Sequence, residues 1–93
     1  MNKSDLIDVL RERAGLSRKE AEQAVFTFFN EISSSLEKGD RVEIRGFGSF
    51  TVKRYKAYTG RNPKTGAPIR VPEKKLPFFK VGKELKERVD GLD

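Results

Sequence analysis

The chain has no cysteine, no histidine and no tryptophan. Without cysteine there are no disulfides and no thiolate chemistry, and the redox compartment stays open. Without histidine as well, the commonest general base and the commonest metal ligands are both missing. No apolar run approaches the roughly 20 residues that cross a bilayer. The start, MNKSDLIDVL, reads as the beginning of a helix and not as a signal peptide. The expectation is a soluble, cytoplasmic protein with no membrane partner, no metal and no cofactor.

Acid is scarce in one stretch only. Residues 53–75, KRYKAYTGRNPKTGAPIRVPEKK, hold eight Lys or Arg against a single acid, Glu73. Residues 1–52 carry eight bases and nine acids, and residues 76–93 carry four of each. The formal net charge of +6 is therefore one patch. That patch has too little apolar content to bury itself, so it needs water or an anionic partner, and a polyphosphate is the obvious one.

At 93 residues the chain is one domain at most, 1–93, with 53–75 as a protruding arm. With 35% hydrophobic and 37% charged residues it is polar without being in the disordered range. A core this small gains from self-association. Seven Phe predict an aromatic core built largely from one residue type.

Local patterns supply the elements. Asn2 or Ser4 caps a first helix with Leu6, Ile7, Val9 and Leu10 at helical spacing, and Gly15 interrupts it. Ser17 and Glu20 form a capping box for a longer helix, to about Lys38. Its apolar set is Ala21, Ala24, Val25, Phe28, Phe29, Ile32 and Leu36, and Gly39 stands where a C-terminal cap belongs. The period then becomes two: residues 41–45 form a strand with Val42 and Ile44 inward. Gly46-Phe-Gly48 is a tight connection, after which Phe50 and Val52 face inward. The strand runs on as a polar ribbon to Tyr58. Asn62-Pro-Lys-Thr-Gly66 is a turn. The chain returns through Ile69 and Val71, with Leu76, Phe78 and Phe79 as apolar contacts for the body. A last helix starts near Lys83 with Leu85 and Val89 inward. The long helix has more apolar surface than a three-stranded sheet of this size covers, and a second copy is inferred to cover the rest.

Enzymatic readings fail for want of parts. Residues 60–66 contain two glycines, Lys64 and Thr65, but the second glycine follows the lysine, no helix follows, and Pro63 removes a backbone donor. Glu20 and Glu22 read as solvated helix surface. Nothing resembles a triad or a metal cluster, so no catalytic residue is assigned. Nucleic-acid binding fits better. A two-stranded ribbon with bases on both edges can lie in a DNA groove. Arg61 suits the narrow, electronegative minor groove, and Pro63 is a rigid apolar wedge of the kind that unstacks a base step. A bare solvated turn does not account for so long and self-repelling an arm.

Three motifs carry a resemblance: IRGFGSF at residues 44–50, TGRNPKTG at 59–66 and FKVGKEL at 79–85. Together they resemble the bacterial HU/integration host factor family of histone-like DNA-bending proteins, from Met1 to Val89. The resemblance implies an α+β fold. It is an intertwined dimer, homodimeric or heterodimeric with a paralogous subunit. Each chain has a helical base (an α-α hairpin), a three-stranded antiparallel sheet, a long β-ribbon arm and a short C-terminal helix. The implied partner is double-stranded DNA, bent through the minor groove in nucleoid organisation and in replication, recombination or transcription complexes. No small-molecule substrate is implied. Carried over by motif, Pro63 is the intercalating wedge, and Arg61, Asn62 and Lys64 are tip contacts. Arg54, Lys56, Tyr58, Arg70, Lys74 and Lys75 complete the DNA-binding arm. Lys3, Gly46, Lys53, Lys80, Lys83 and Lys86 belong to the DNA-binding body. Glu43 and Arg45 resemble the beta subunit of integration host factor, where the Arg enters the groove and the Glu orients it. A simple i, i+2 ion pair on an exposed strand is the other reading of those two. Phe28, Phe29, Ile32, Phe47, Phe50 and Phe79 are assigned to the dimer core. An RNA-binding or ribosome-associated protein, or a module docking on an acidic protein, would share the charge.

Overall fold

The computed structural model describes residues 1–91; the expected domain end at residue 93 lies outside them. The chain divides into two compact units, one of residues 1–38 and one that begins at Gly39.

The first unit is a helical hairpin. Helix α1 spans Lys3–Ala14. Asn2, not Ser4, is its cap: the Asn2 side chain accepts from the Asp5 N–H at 2.9 Å, and the Asp5 carboxylate accepts from the Asn2 N–H at 3.0 Å. Gly15, at φ 64°, ends it in the left-handed region that glycine enters without penalty. Helix α2 spans Arg18–Glu37 and opens with the expected box of Ser17 and Glu20, at 3.1 and 2.9 Å. The Ser17 backbone N–H, and then its side chain, stabilise the charged carboxylate and hold Glu20 below the usual glutamate value. Lys38 caps the far end, and Gly39, at φ 85°, turns the chain directly after it in the left-handed region. Ile7, Ala21 and Val25 are buried between the helices, with Leu6, Leu10 and Leu16 alongside. Most of the remaining apolar stripe of α2 stays uncovered: Phe28 and Phe29 are exposed, in edge-to-face contact at 5.3 Å.

The second unit is built on strands. They are β1 (Val42–Ile44), β2 (Gly48–Tyr55), β3 (Tyr58–Arg61), β4 (Pro68–Val71) and β5 (Lys74–Val81), followed by helix α3 (Lys83–Asp90). β1, β2 and β5 form an antiparallel sheet with β2 in the middle; β3 and β4 form a two-stranded ribbon. The expected ribbon through Tyr58 is interrupted. Pairing ends at Tyr55↔Lys74 and resumes at Tyr58↔Val71. Two residues on each strand, Lys56-Ala57 and Pro72-Glu73, fill the gap, and Pro72 has no N–H to give the ladder. Pro77 lies inside β5, opposite Val52, on an edge strand where a missing donor is tolerated.

The Gly46-Phe-Gly48 turn holds α3. Phe47 N–H donates to the Ile44 carbonyl at 2.9 Å, and the Phe47 carbonyl accepts from Gly82 N–H at 2.8 Å. Gly82 gives α3 no side-chain cap; instead the Gly46 carbonyl accepts from Leu85 N–H at 3.1 Å. The turn backbone thus satisfies donors that a helix start leaves open. A Cβ on Gly48 would lie 2.5 Å from the Phe79 ring, which explains the second glycine. Leu85 is half-buried as expected, but Val89 is 80% exposed: in the last turn of so short a helix it lies beyond reach of the sheet of its own unit.

Candidate nucleic-acid interface

Register decides which side chains share a side. Residues directly opposite in an antiparallel pair lie on one face, and successive residues alternate. One face of the sheet, the back, carries Val42, Ile44, Phe50 and Val52 with Phe79 and Val81. The other, the front, carries Glu43, Ser49, Thr51, Lys53 and Tyr55 with Lys80, Phe78, Leu76 and Lys74. The gap takes two residues from each strand, and the faces beyond it are named by counting the alternation across those residues. Thr59, Arg61, Arg70 and Pro68 continue the front; Tyr58, Gly60, Val71 and Ile69 continue the back.

The candidate residues therefore separate. Lys53, Lys74, Lys80, Arg61 and Arg70 come together on the front. Among the described strand residues the one acid there is Glu43, which pairs with Arg41 at 3.7 Å and not with Arg45. Arg45 follows the end of β1 and is exposed. Arg54 and Lys75 oppose each other on the back. Lys56 lies in the gap. Tyr58, on the back, packs its ring against Gly60. Lys3 stands exposed at the start of α1, and Lys83 and Lys86 are exposed on α3. Gly46 acts through its carbonyl on α3.

The tip is braced from four directions. Asn62 N–H donates to the Ala67 carbonyl at 2.9 Å, closing a loop of Pro63, Lys64, Thr65 and Gly66. The Asn62 carbonyl accepts from Gly66 N–H at 2.7 Å, and its side chain accepts from Lys64 N–H at 2.8 Å. Gly66 has the expected positive φ, 72°. The Arg61 guanidinium donates to the Gly66 carbonyl at 3.1 Å. Pro63 is exposed at the apex of this loop.

The residues assigned to a dimer core form two groups. Phe28, Phe29 and the half-buried Ile32 lie on α2. Phe79 packs at 4.8 Å against Phe50 and at 5.7 Å against Phe47, which is 46% exposed. One feature escaped sequence reasoning: Phe78, grouped there with Phe79, is on the opposite face, with the Lys53 ammonium 3.6 Å above its ring. Strand alternation alone separates adjacent residues such as these, but which of the two joins Phe50 is decided by the register.

A cationic sheet face prolonged into a ribbon with a braced proline at its tip defines a nucleic-acid-binding protein of the β-ribbon class. A family model described as bacterial DNA-binding protein matches residues 1–90. Integration host factor subunit beta from Burkholderia mallei is 53% identical over 92 residues, 98% of this chain and 86% of that protein; the Burkholderia thailandensis protein matches equally. Among solved structures, an Anabaena HU–DNA cocrystal superposes with a TM-score of 0.84 at 37% identity, covering 96% of this chain and 97% of that one. A V42I mutant of HU from Thermotoga maritima gives 0.71 at 35% identity, with 96% and 99% covered.

The chain belongs to the bacterial DNA-binding protein family, that of HU and integration host factor. Its members are histone-like architectural proteins and not enzymes, and they associate with the bacterial nucleoid. Among the described residues no helix is long and apolar enough to cross a membrane.

Proposed function

We propose that the protein acts in the cytoplasm as a dimer that bends duplex DNA, with residues 1–93 working as one DNA-binding domain and 53–75 as its arm. The cationic front of the sheet, with Lys80, Lys53 and Lys74, together with Arg70 and Arg61 on one face of the ribbon, is the observation that carries this reading. Arg61, Asn62 and Lys64 place the tip in the minor groove, where Pro63 wedges a base step. Lys3, Lys83 and Lys86 take phosphates of the flanking DNA. Arg54, Lys56 and Lys75 reach the backbone from the other side of the ribbon. Glu43 and Arg45 border the front. Arg41 occupies Glu43 in the free protein, so orientation of Arg45 by Glu43 requires that pair to open.

The dimer follows from uncovered apolar surface. Phe28 lines an open groove of about 810 Å³ on the helical hairpin with Leu16 and Ala24. Phe47 and Phe79 are exposed as well. Burying such rings against a second subunit contributes on the order of 25 cal/mol per Å² of apolar area.

Mechanistically, phosphate contacts supply affinity and make it salt-dependent. Smooth bending of a short site costs on the order of 1–6 kcal/mol. Two proline wedges concentrate the deformation at two steps, and flexible pyrimidine–purine steps are preferred because they yield most readily.

The test is energy transfer between the ends of a doubly labelled duplex, titrated with wild-type protein and with Pro63→Ala. Wild type raises transfer strongly. The variant keeps most of its affinity but bends less. Equal bending by both proteins refutes the wedge, and binding that favours structured RNA over duplex DNA refutes the whole reading.

A further inference from the structure

Phe78 is out of place. It stands on the cationic front, 41% exposed, opposite Thr51 and between Leu76 and Lys80 along β5. Its neighbour Phe79 joins the aromatic cluster on the back, so the body does not need Phe78 for that packing. What Phe78 does touch is charge. The Lys53 ammonium lies 3.6 Å from the centre of its ring. Lys53 faces Leu76 directly across the strands and reaches Phe78 on the diagonal, a geometry open to a long side chain.

We propose that Phe78 is a positioning residue for DNA binding. Its ring face fixes the Lys53 ammonium at the root of the arm, so that this charge meets the phosphate backbone at a set place. The inference rests on the DNA-binding reading above and deepens it. The physical reason is the cost of ordering. A free lysine side chain loses much rotamer freedom when it is pinned against a phosphate, whereas a lysine already held over an aromatic face has lost part of it beforehand. The ring does this without neutralising the charge, as a carboxylate would. An ammonium over a ring keeps its formal charge and its free donors for an anion. Sequence, register and chemistry agree. Position 53 is the first base of the basic stretch, position 78 is the one aromatic among the front residues of β5, and the strand pairing brings them together.

The experiment is a double-mutant cycle on duplex affinity at fixed salt, using wild type, Phe78→Leu, Lys53→Ala and the double variant. Phe78→Leu keeps an apolar side chain and all the charge, yet is expected to weaken binding about 2- to 5-fold, the range of an exposed cation–π contact. In the Lys53→Ala background the same replacement has no further effect. Phe78→Tyr restores wild-type affinity. In the free protein, the Lys53 ε-methylene protons resonate upfield because of the ring current, and they return to ordinary positions in Phe78→Leu. Equal losses from Phe78→Leu in both backgrounds, or unshifted Lys53 protons in wild type, overturn the proposal while leaving DNA binding intact. A wild-type chain that does not bind duplex DNA overturns the underlying reading and the inference with it.

Discussion

The two faces of the β2–β5 sheet are made from the same two strands, yet they have opposite chemistry. One collects Phe50, Val52, Phe79 and Val81; the other collects Lys53, Lys74 and Lys80. Beyond the ladder gap the division persists in thinner form, with Ile69 and Val71 behind and Arg61 and Arg70 in front. The difference teaches that charge count alone does not define the binding surface. Arg54 and Lys75 add as much charge as Lys53 and Arg70, but they stand on the other side.

The largest test breaks this division directly. The pair Lys53→Ala and Arg70→Ala, carried by both subunits of the dimer, removes about four phosphate contacts; it should weaken duplex binding about 4,000-fold at 0.1 M salt, at roughly 8-fold per contact, and flatten the salt slope by about 3.6. The pair Arg54→Ala and Lys75→Ala should cost less than about 8-fold in total. Equal losses would erase the distinction between front and back.

A smaller effect separates crowding from backbone strain. A Cβ on Gly48 would meet Phe79 on the back at 2.5 Å and the Lys80 carbonyl at 2.6 Å. Gly48→Ala is therefore expected to lower thermal stability by about 1–3 kcal/mol. Gly66→Ala meets open space, but it must hold a φ of 72°. It should cost about 1–2 kcal/mol locally, through a loosened tip, and reduce bending more than melting temperature. If the two variants melt alike and bend alike, the argument from contact at Gly48 fails.

The smallest effect is in the helical unit. Glu20 is held below its ordinary value by Ser17. A carboxylate with a depressed folded-state pKa contributes stability that is present above the unfolded value of 4.5 and is lost as pH falls through the depressed value. Acid melts of wild type and Glu20→Gln should therefore diverge most above pH 4.5 and converge in stronger acid, where Glu20 is itself neutral. Curves separated by a constant amount at every pH would rule out the linkage.

Legibility in the sequence followed the range of each interaction. Capping boxes, the Gly66 turn and the alternation of Val42 with Ile44 involve residues within a few positions, and the sequence displays them. The closeness of Phe78 to Lys53 spans the whole arm and needs the register, which depends on the loop length at Pro63. The ladder gap was hidden because Pro72 announces a missing donor without saying which strand residue goes unpaired. Val89 fits the spacing of an inward residue, but helical spacing cannot tell how far a neighbouring sheet extends. Of the candidate site, the residue types and their concentration in 53–75 were readable; their sorting into two sides was not.

The gap also carries a rule of parity. It removes two residues from each strand, so every side chain beyond it keeps its side. The arm can therefore be lengthened or shortened only by an even number of residues per strand. An odd step would send Arg61 and Arg70 to the outside and bring Ile69 and Val71 inward, with every residue still present and the same net charge.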